Sequence, residues 1–364
     1  MAPAPPLEIL RLRGSHREIG EAIGAACART LRDAVAFDVD TIPEGRTREQ
    51  QLELADRYRE ITFDAYPWYR DELEGAASAA DVDVRALFAT VVEEIWYVPY
   101  ARQLQGRCSD LVAVPPATRD GHVLVAHNND LTRAYQDQLM ALEIAVDNEP
   151  TIFAIGNGIW ISCGWNDRGI SMTGNELAPL DEQIGIPREV QFRSMLGMAS
   201  VDRAVGEALR HDRASNYNHV LVDRDGTVAN VEGSGRDAEI TTTDDRGHLV
   251  HTNHYVCERM LRYEGDPEYA GLSSIRYERA AALLADSEDG TVTAETMRSF
   301  LSDHEHEPDS LCRHPERSNG ERTSATVFWW VADLTDMRLT FGRGNPCESI
   351  AQTYAFPEPD ERAA

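Results

Sequence analysis

The spacing of apolar residues divides the chain into two parts with different periods. From residue 7 to about 100, apolar side chains recur every three or four positions, the period of a helix with one buried face. Ser15-His16-Arg17-Glu18 has the pattern of a capping box and starts the first helix. Further helices are predicted over residues 48–66, 71–80 and 84–97. The first third of the chain is therefore predicted to be mainly helical.

Beyond Ser109 the period shortens to that of β-strands, and turn sequences such as Gly156-Asn157-Gly158 separate the apolar runs. Strands are predicted at residues 110–114, 122–127, 139–146, 151–155, 159–164, 170–173, 218–223, 227–232, 248–253, 324–333 and 337–343. Helices are predicted at residues 189–197, 200–210, 273–286 and 293–303. Blocks of strands that alternate with blocks of helices predict a layered α+β domain whose sheets are enclosed by helices.

Two polar segments interrupt this pattern. Residues 98–107 are predicted to form an exposed linker, which suits a proteolytic processing site. The end of the chain, from about residue 356 to residue 364, is rich in proline and acidic residues and is predicted to be a disordered acidic tail.

Composition narrows the classes of function. The 364 residues are 42% hydrophobic, which is enough for a substantial core. Every apolar run falls well short of the roughly 20 residues that a membrane span needs. The first six residues lack the basic start and apolar stretch of a signal peptide, so a cytoplasmic location is predicted.

The charge is strongly acidic. The chain has 62 acidic residues against 35 basic ones, all of them arginine, and a formal net charge of −27. Such a surface repels nucleic acids and anionic membranes, so neither is predicted as a partner. The acid excess favours adaptation to high salt, in which screening relieves self-repulsion. A coding bias that replaces lysine by arginine is the alternative reason for the arginine usage.

One cysteine has a context typical of a nucleophile. Cys108 follows the predicted linker and opens a strand, and a turn at Arg119-Asp120-Gly121 leads to a second strand that ends in Asn128-Asn129-Asp130. This hairpin returns the Asn-x-Asp end to the neighbourhood of the cysteine. There a carboxylate can orient an amine, and amides can donate to an oxyanion. Without that context, a buried structural cysteine is the ordinary interpretation.

Further motifs occur along the whole chain. In order, they are Gly14-Ser15-His16-Arg17-Glu18-Ile19-Gly20 with Gly24, Cys108-Ser109, Asn128-Asn129-Asp130, Gly164-Trp165-Asn166-Asp167-Arg168-Gly169-Ile170 with Asn175, residues 218–226, His251-Thr252-Asn253-His254, Ser274-Ile275-Arg276-Tyr277, Asp303-His304, Ser310-Leu311-Cys312-Arg313-His314-Pro315 and Gly344-Asn345-Pro346-Cys347. In this order and spacing they resemble the acyl-coenzyme A:6-aminopenicillanic acid acyltransferase family (peptidase family C45) of N-terminal-nucleophile hydrolases. The chain is similar, more distantly, to the bile-salt hydrolases and penicillin V acylases.

The resemblance implies a fold and a maturation step. The fold is a four-layer αββα sandwich with a helical N-terminal segment, in one integrated domain. The precursor cuts its own backbone between Arg107 and Cys108, and residues 1–107 and 108–364 remain together as a heterodimer. The freed α-amine then acts as base for the thiol of the same residue, since its pKa is about 7.7–8. The resemblance implies no cofactor.

The resemblance also assigns roles by position. Cys108 corresponds to the nucleophile and Asp130 to the acid that positions the amine. Asn175 and Asn218 correspond to amides linked to the oxyanion hole and to substrate orientation. Without the resemblance, both asparagines would be interpreted as caps of turns.

Two further expectations concern the substrate and the cut. Asn128 is expected to contact a small N-acyl amide or acyl-thioester substrate, and the resemblance implies the same contact for Arg322. The family usually has glycine immediately before the nucleophile, whereas this chain has Arg107 there, with Gly106 one position earlier.

Alternative functions remain open at this level. An unprocessed cysteine hydrolase could use Cys108 with a histidine base such as His127. A non-catalytic binding protein on the same fold would not need the thiol. Within the first hypothesis, water as acceptor makes a hydrolase and an amine makes a transferase, and the sequence does not distinguish them.

The histidines and remaining cysteines give no pattern of a metal site. His251-x-x-His254, with His304-x-His306, comes nearest to one, but Asn253 lies between the first pair at a predicted strand end. Hydrogen-bonded structural histidines are expected there, and no metal. The six cysteines are scattered without a CxxC pair, and Cys312 and Cys347 are expected to be free thiols.

Overall fold

The computed structural model describes residues 4–36, 42–96, 107–315 and 324–356. The α-helices in these ranges are α1 (His16–Ala26), α2 (Ala28–Val35), α3 (Arg48–Ala65), α4 (Pro67–Ala80), α5 (Val84–Ala89), α6 (Arg188–Leu196), α7 (Val201–Ala208), α8 (Pro267–Ala285) and α9 (Ala294–Leu301). The strands are β1 (Ile9–Gly14), β2 (Arg107–Ala113), β3 (Leu124–Thr132), β4 (Met140–Val146), β5 (Ile152–Gly156), β6 (Ile161–Asn166), β7 (Ile170–Asn175), β8 (Asn218–Asp223), β9 (Val228–Gly233), β10 (Ala238–Thr241), β11 (His248–His251), β12 (Ser324–Asp333), β13 (Arg338–Arg343) and β14 (Gln352–Ala355).

These strands form two sheets. The eight-stranded sheet has the order β1-β4-β5-β6-β7-β8-β9-β10, and the six-stranded sheet has the order β11-β2-β3-β12-β13-β14. Neighbouring strands pair antiparallel, except that β1 and β4 are parallel. Most neighbours are joined by short turns, which is why the alternating pattern of the sequence predicts them well.

Apolar side chains pack in three layers around these sheets. Phe153 and Trp165 of the eight-stranded sheet face Phe328 and Trp330 of the six-stranded sheet. The outer face of the eight-stranded sheet packs against α1–α7, and the outer face of the six-stranded sheet packs against α8 and α9. The predicted four-layer αββα arrangement is confirmed.

Two glycines let α1 cross α4 at short range. A Cβ atom on Gly20 would lie 1.9 Å from the carbonyl oxygen of Glu72, and one on Gly24 would lie 2.3 Å from that of Ala76. Any side chain there would push the helices apart. The capping box predicted at the start of α1 is present, with Ser15 and Glu18 each accepting from the other's backbone N–H.

The structure corrects several predicted elements. The N-terminal segment is not entirely helical, because β1 belongs to it and pairs with β4. The helix predicted over 84–97 ends at Ala89 and is followed by a 3₁₀ turn at Glu93–Ile95. Strands β10 and β14 were not predicted.

Both predicted polar segments are also revised at their described ends. Arg107 is not exposed: it is the first residue of β2 and only 7% accessible. Phe356 is not part of a free tail, because its ring lies 4.8 Å from that of Trp165. The remainder of the predicted linker and tail, residues 98–106 and 357–364, lies outside the described residues. Among the described helices, none is long and apolar enough to cross a membrane.

Candidate active site

The hairpin of β2 and β3 places the chemical groups on two faces of the six-stranded sheet. Cys108 pairs with Asn129, and its neighbour Arg107 pairs with Asp130. Since side chains alternate along a strand, Cys108 and Asn129 face the space between the sheets, and Arg107 and Asp130 face the outer helix layer. The two sets therefore approach the Arg107–Cys108 bond from opposite sides.

Cys108 is held by three side chains from three segments. Asn129 Nδ2 donates to its Sγ at 3.6 Å. Its backbone N–H donates to Asn253 Oδ1 at 2.8 Å, and its carbonyl oxygen accepts from Arg276 Nη1 at 2.6 Å. The nucleophile candidate is thus fixed at its sulfur, nitrogen and carbonyl oxygen.

Arg276 and Asn253 were not predicted as site residues, although both lie in motifs that carry the family resemblance. Arg276 is fully buried on α8 and also donates to Ser109 Oγ and to Asn253 Oδ1, both at 2.9 Å. Asn253 donates in turn to the carbonyl oxygen of Glu176 at 3.2 Å. An available signal was the helical spacing of α8, which puts Arg276 on the same face as buried Ser273 and Ala280. A buried arginine there requires acceptors.

Asp130 lies at the level of the proposed cut, opposite Arg107. Its Oδ1 accepts from Thr326 Oγ1 at 2.7 Å, and its Oδ2 is buried with no partner. Burial raises the pKa of this carboxyl, and the charges of Arg276 and Arg313 oppose that rise. A cationic hydrogen-bond donor placed beside Oδ2 would give this oxygen the partner that it lacks.

Arg107 is held on the same outer face as Asp130. Its Nη1 donates to Asp309 at 2.8 Å, and its guanidinium lies 5.5 Å from the centre of the Tyr269 ring. Because of these partners, the residue before Cys108 is buried instead of exposed.

Asn175 and Asn218 stand side by side on β7 and β8. Asn218 Nδ2 donates to Asn175 Oδ1 at 3.1 Å, and His251 Nδ1 lies 3.0 Å from the same oxygen. The other ring nitrogen of His251 lies 2.8 Å from Glu232 Oε1. Neither asparagine hydrogen-bonds to Cys108. Asn175 Nδ2 is buried without a partner, so a donor is available there.

The other predicted site residues lie elsewhere. Asn128 faces the outer helices, where its Nδ2 donates to the carbonyl oxygens of Leu301 and Leu311, both at 2.9 Å. Arg322 lies outside the described residues. His127 faces the same side as Cys108, but its Nδ1 is 2.7 Å from Asp110 Oδ1, and no hydrogen bond joins it to the thiol. His254 Nδ1 is 3.0 Å from Ser273 Oγ.

A cavity of about 710 Å³ opens beside the thiol. Cys108 and Asn129 form part of its wall, together with the aromatic side chains of Trp96, Trp160 and Phe192 and the polar group Glu93, Arg188, Glu189 and Tyr217. Arg188 is neutralised inside this wall, because its Nε donates to Glu93 at 2.7 Å. Burial raises the pKa of the Glu189 carboxyl, so its neutral form is favoured.

The thiol itself is not activated by its immediate surroundings. Burial raises the pKa of Cys108 well above its usual value, and the charges of Asp110 and Asp130 raise it further. Attack by this sulfur therefore needs a base close enough to take its proton.

Comparison with known proteins gives a match to one family model and matches to solved structures. The family model of acyl-coenzyme A:6-aminopenicillanic acid acyl-transferase matches residues 117–348, more than half of the chain. That range begins after Cys108 and contains Asp130, Asn175, Asn218 and Arg276. No curated protein matches significantly.

Two similar solved structures are both remote in sequence. A variant of conjugated bile acid hydrolase from Clostridium perfringens is 12% identical, with 68% of this chain and 97% of that chain covered and a TM-score of 0.46. The Caenorhabditis elegans ortholog of N-acylethanolamine-hydrolyzing acid amidase is 15% identical, with 69% and 100% covered and a TM-score of 0.44.

Proposed function

Because this chain belongs to the acyl-coenzyme A:6-aminopenicillanic acid acyl-transferase family, we propose that it is a cysteine amidase or acyltransferase that acts on N-acyl amides. Cys108 is its nucleophile, and the chain activates itself by cutting the Arg107–Cys108 bond. One observation carries the proposal: Cys108 lines the cavity while its backbone nitrogen is held by Asn253. A nucleophile whose own nitrogen is positioned in this way suits a base supplied by the same residue.

In the proposed self-cleavage, Cys108 Sγ attacks the carbonyl carbon of Arg107. The new C–S bond replaces the peptide C–N bond, the Cys108 nitrogen takes a proton, and a thioester results. Water then hydrolyses the thioester and restores the thiol. Asp130 supports this step, because its unpaired Oδ2 offers a counter-charge to the new ammonium group.

In turnover, the uncharged α-amine of Cys108 takes the thiol proton as Sγ attacks the acyl carbonyl of the substrate. The need for such a base follows from the raised pKa of the buried thiol. The leaving amine takes its proton from the α-ammonium group. Asn175 supports the oxyanion through its unpaired Nδ2, and Asn218 holds Asn175.

The lining of the cavity suits the acyl group of a substrate. Trp96, Trp160 and Phe192 offer apolar surface, and Glu93 balances the charge of Arg188, the one arginine among the described residues of the wall. Either water or an amine then collects the acyl group. The enzyme works as a heterodimer of its own two fragments in the cytoplasm, and Arg322 is retained as a candidate substrate contact.

The test is the intact mass of freshly purified protein, followed by trapping of the acyl group. Wild type is expected as fragments of 107 and 257 residues. Incubation with N-acyl amino acids, β-lactam amides or acyl-thioesters should then add one acyl group to the larger fragment. Cys108→Ala should remain a single, inactive chain, and Cys108→Ser should be processed slowly with little turnover.

Cys257→Ala is the matched control, because Cys257 is a half-buried free thiol away from the cavity wall. It should be processed like wild type. A Cys108→Ala chain that still splits after Arg107 in protein free of trypsin-like proteases would refute self-cleavage. Processed wild type that forms no acyl-enzyme with any of these three substrate classes would refute the catalytic proposal.

A further inference from the structure

Four side chains with metal-binding atoms converge away from the nucleophile. They are His304, after α9; Cys312 and His314, in the loop before β12; and Cys347, after β13. One ligand atom from each lies within 4.8 Å of those of all the others. We call this group the Cys₂His₂ cluster.

Four of the six separations inside the cluster are close to those of a tetrahedral metal site. The two sulfurs are 3.5 Å apart, and the Nε2 atoms of His304 and His314 are 3.2 Å apart. His314 Nε2 lies 3.6 Å from Cys312 Sγ and 3.3 Å from Cys347 Sγ. A tetrahedral zinc ion with bonds of about 2.3 Å to sulfur and about 2.0–2.1 Å to nitrogen puts its ligands about 3.3–3.8 Å apart. The two remaining separations, from His304 to each sulfur, are below 4.8 Å, so the four atoms lie close enough together to share one ion.

Side chains next to the cluster could orient the candidate ligands by hydrogen bonding and by charge. Asn345 Nδ2 donates to Cys312 Sγ at 3.4 Å, which stabilises a thiolate. Glu348 Oε1 lies 3.9 Å from His314 Nδ1, so a carboxylate faces the ring nitrogen that would not bind metal. Such outer contacts orient ligands and set the histidine tautomer.

Neither a disulfide nor a set of hydrogen bonds accounts for this geometry as fully as a metal ion does. A disulfide between Cys312 and Cys347 requires sulfurs about 2.05 Å apart and gives the two histidines no reason to converge. Hydrogen bonds explain the geometry less well, because His314 Nε2 lies 3.2–3.6 Å from one atom of each of the other three side chains but carries only one proton or one lone pair. A closed S₂N₂ tetrahedron is the arrangement that zinc prefers.

We propose that His304, Cys312, His314 and Cys347 bind one structural Zn²⁺ ion. This departs from the sequence-based expectation of free thiols and no metal. The four residues form no sequence motif, because only Cys312-x-His314 is local and the other two ligands come from separate segments of the chain.

The zinc site would be connected to the β2–β3 hairpin that carries Cys108 through a chain of hydrogen bonds. Arg313 lies between two of the ligands, and its backbone N–H donates to Thr326 Oγ1, the same hydroxyl that donates to Asp130. The zinc ion would thus fix the loop that buttresses Asp130, without touching the cavity. Its role is structural, as expected of a site with all four positions filled by protein.

The primary measurement is the metal content of full-length protein purified without chelators. Wild type should contain about one zinc ion per chain, and a Cys312→Ser/Cys347→Ser double variant should contain less than about a tenth of that. Cys257→Ser, which removes a thiol outside the cluster, should retain the full content. Replacement by Co²⁺ should give the absorption of a tetrahedral thiolate site in wild type and in this control.

A second measurement does not depend on the variants folding. A mercurial added to wild type should release the zinc as the thiols react. The proposal is overturned if wild type reconstituted with Zn²⁺ under reducing conditions holds no zinc. It is equally overturned if the double variant retains zinc, or if the fresh protein contains a Cys312–Cys347 disulfide and no metal.

Discussion

An Asn253→Asp substitution tests whether the nitrogen of Cys108 is the base. Asn253 is 1% exposed, and its Oδ1 accepts from that nitrogen at 2.8 Å. Aspartate has the same shape and turns this acceptor into part of a carboxylate. A negative charge in contact with an amine favours the ammonium form, so the pKa of the α-amine should rise and less base should be present at neutral pH.

The size of the effect depends on Arg276. An opposite charge at this range shifts a pKa by about 1–3 units. Arg276 Nη2 donates to the same Asn253 oxygen at 2.9 Å and would share the new charge, so the lower end applies. From a starting pKa of about 8, the α-amine should move to about 9. At pH 7 the rate should then be about tenfold lower than that of wild type, and at high pH it should recover.

The assay is kcat/KM against pH on processed enzyme, with processing checked by mass. The acid limb reports the free enzyme's base, and it should move upward by about one unit. Asn230→Asp is the control: Asn230 is buried on β9 of the other sheet, where its Nδ2 donates to Thr241 Oγ1 at 3.0 Å. That variant should keep the wild-type limb. A processed Asn253→Asp enzyme with an unshifted limb would remove the Cys108 amine from the mechanism.

Further variants and conditions test the rest of the structure. Asp130→Asn should lower kcat more than stability, measured by turnover and urea unfolding; wild-type turnover at pH 7–8 would exclude Asp130. Asn175→Ala should slow turnover by about 10²–10³, as expected when a direct donor to the oxyanion is removed. Asn218→Ala removes only the hydrogen bond that holds Asn175 and should cost less than about tenfold; equal losses would contradict these separate roles. Although burial opposes its charge, Glu149 and Glu72 raise the pKa of His16 to about 9. The ion pairs stabilise the fold fully below the unfolded pKa of about 6.5, and this stabilisation is lost as pH rises through about 9. After a discount for partial exposure, the free energy of unfolding of wild type should fall by about 1–2 kcal/mol more than that of His16→Gln across this window. Equal pH dependence of the two unfolding free energies would refute the ion pairs. With a net charge of −27, the melting temperature should rise in molar potassium chloride, where the Debye length falls to about 3 Å, and a flat curve would reject salt adaptation.

The predictions that succeeded concern contacts that are local along the chain. The hairpin of β2 and β3 joins adjacent strands through a short connection, so alternation and turn residues suffice to bring the Asp130 end back beside Cys108. The helices of residues 48–80 follow the same logic, since their apolar spacing is set within each helix. The αββα layering then follows from the order of these blocks and from the family resemblance.

The predictions that failed concern partners far apart in sequence. β1 is only six residues long, and its partner β4 begins at Met140, so its pairing has no local signal. Arg107 follows a polar segment and looks exposed until Asp309 is brought beside it. Arg276, Asn253 and the Cys₂His₂ cluster were missed for the same reason: each contact joins segments that only the folded topology brings together.

The position of β1 has a consequence for the chain after cleavage. This strand precedes the proposed cut, yet it hydrogen-bonds along its whole length to β4, which follows the cut. The helices α1–α5 likewise share one core with the eight-stranded sheet. The two fragments of the cleaved protein would therefore share one sheet and one core. They would exchange between molecules only as fast as the whole fold unfolds. The two fragments should therefore co-purify for as long as the whole fold remains folded. Cleavage would create a new N-terminus at Cys108 without releasing either fragment.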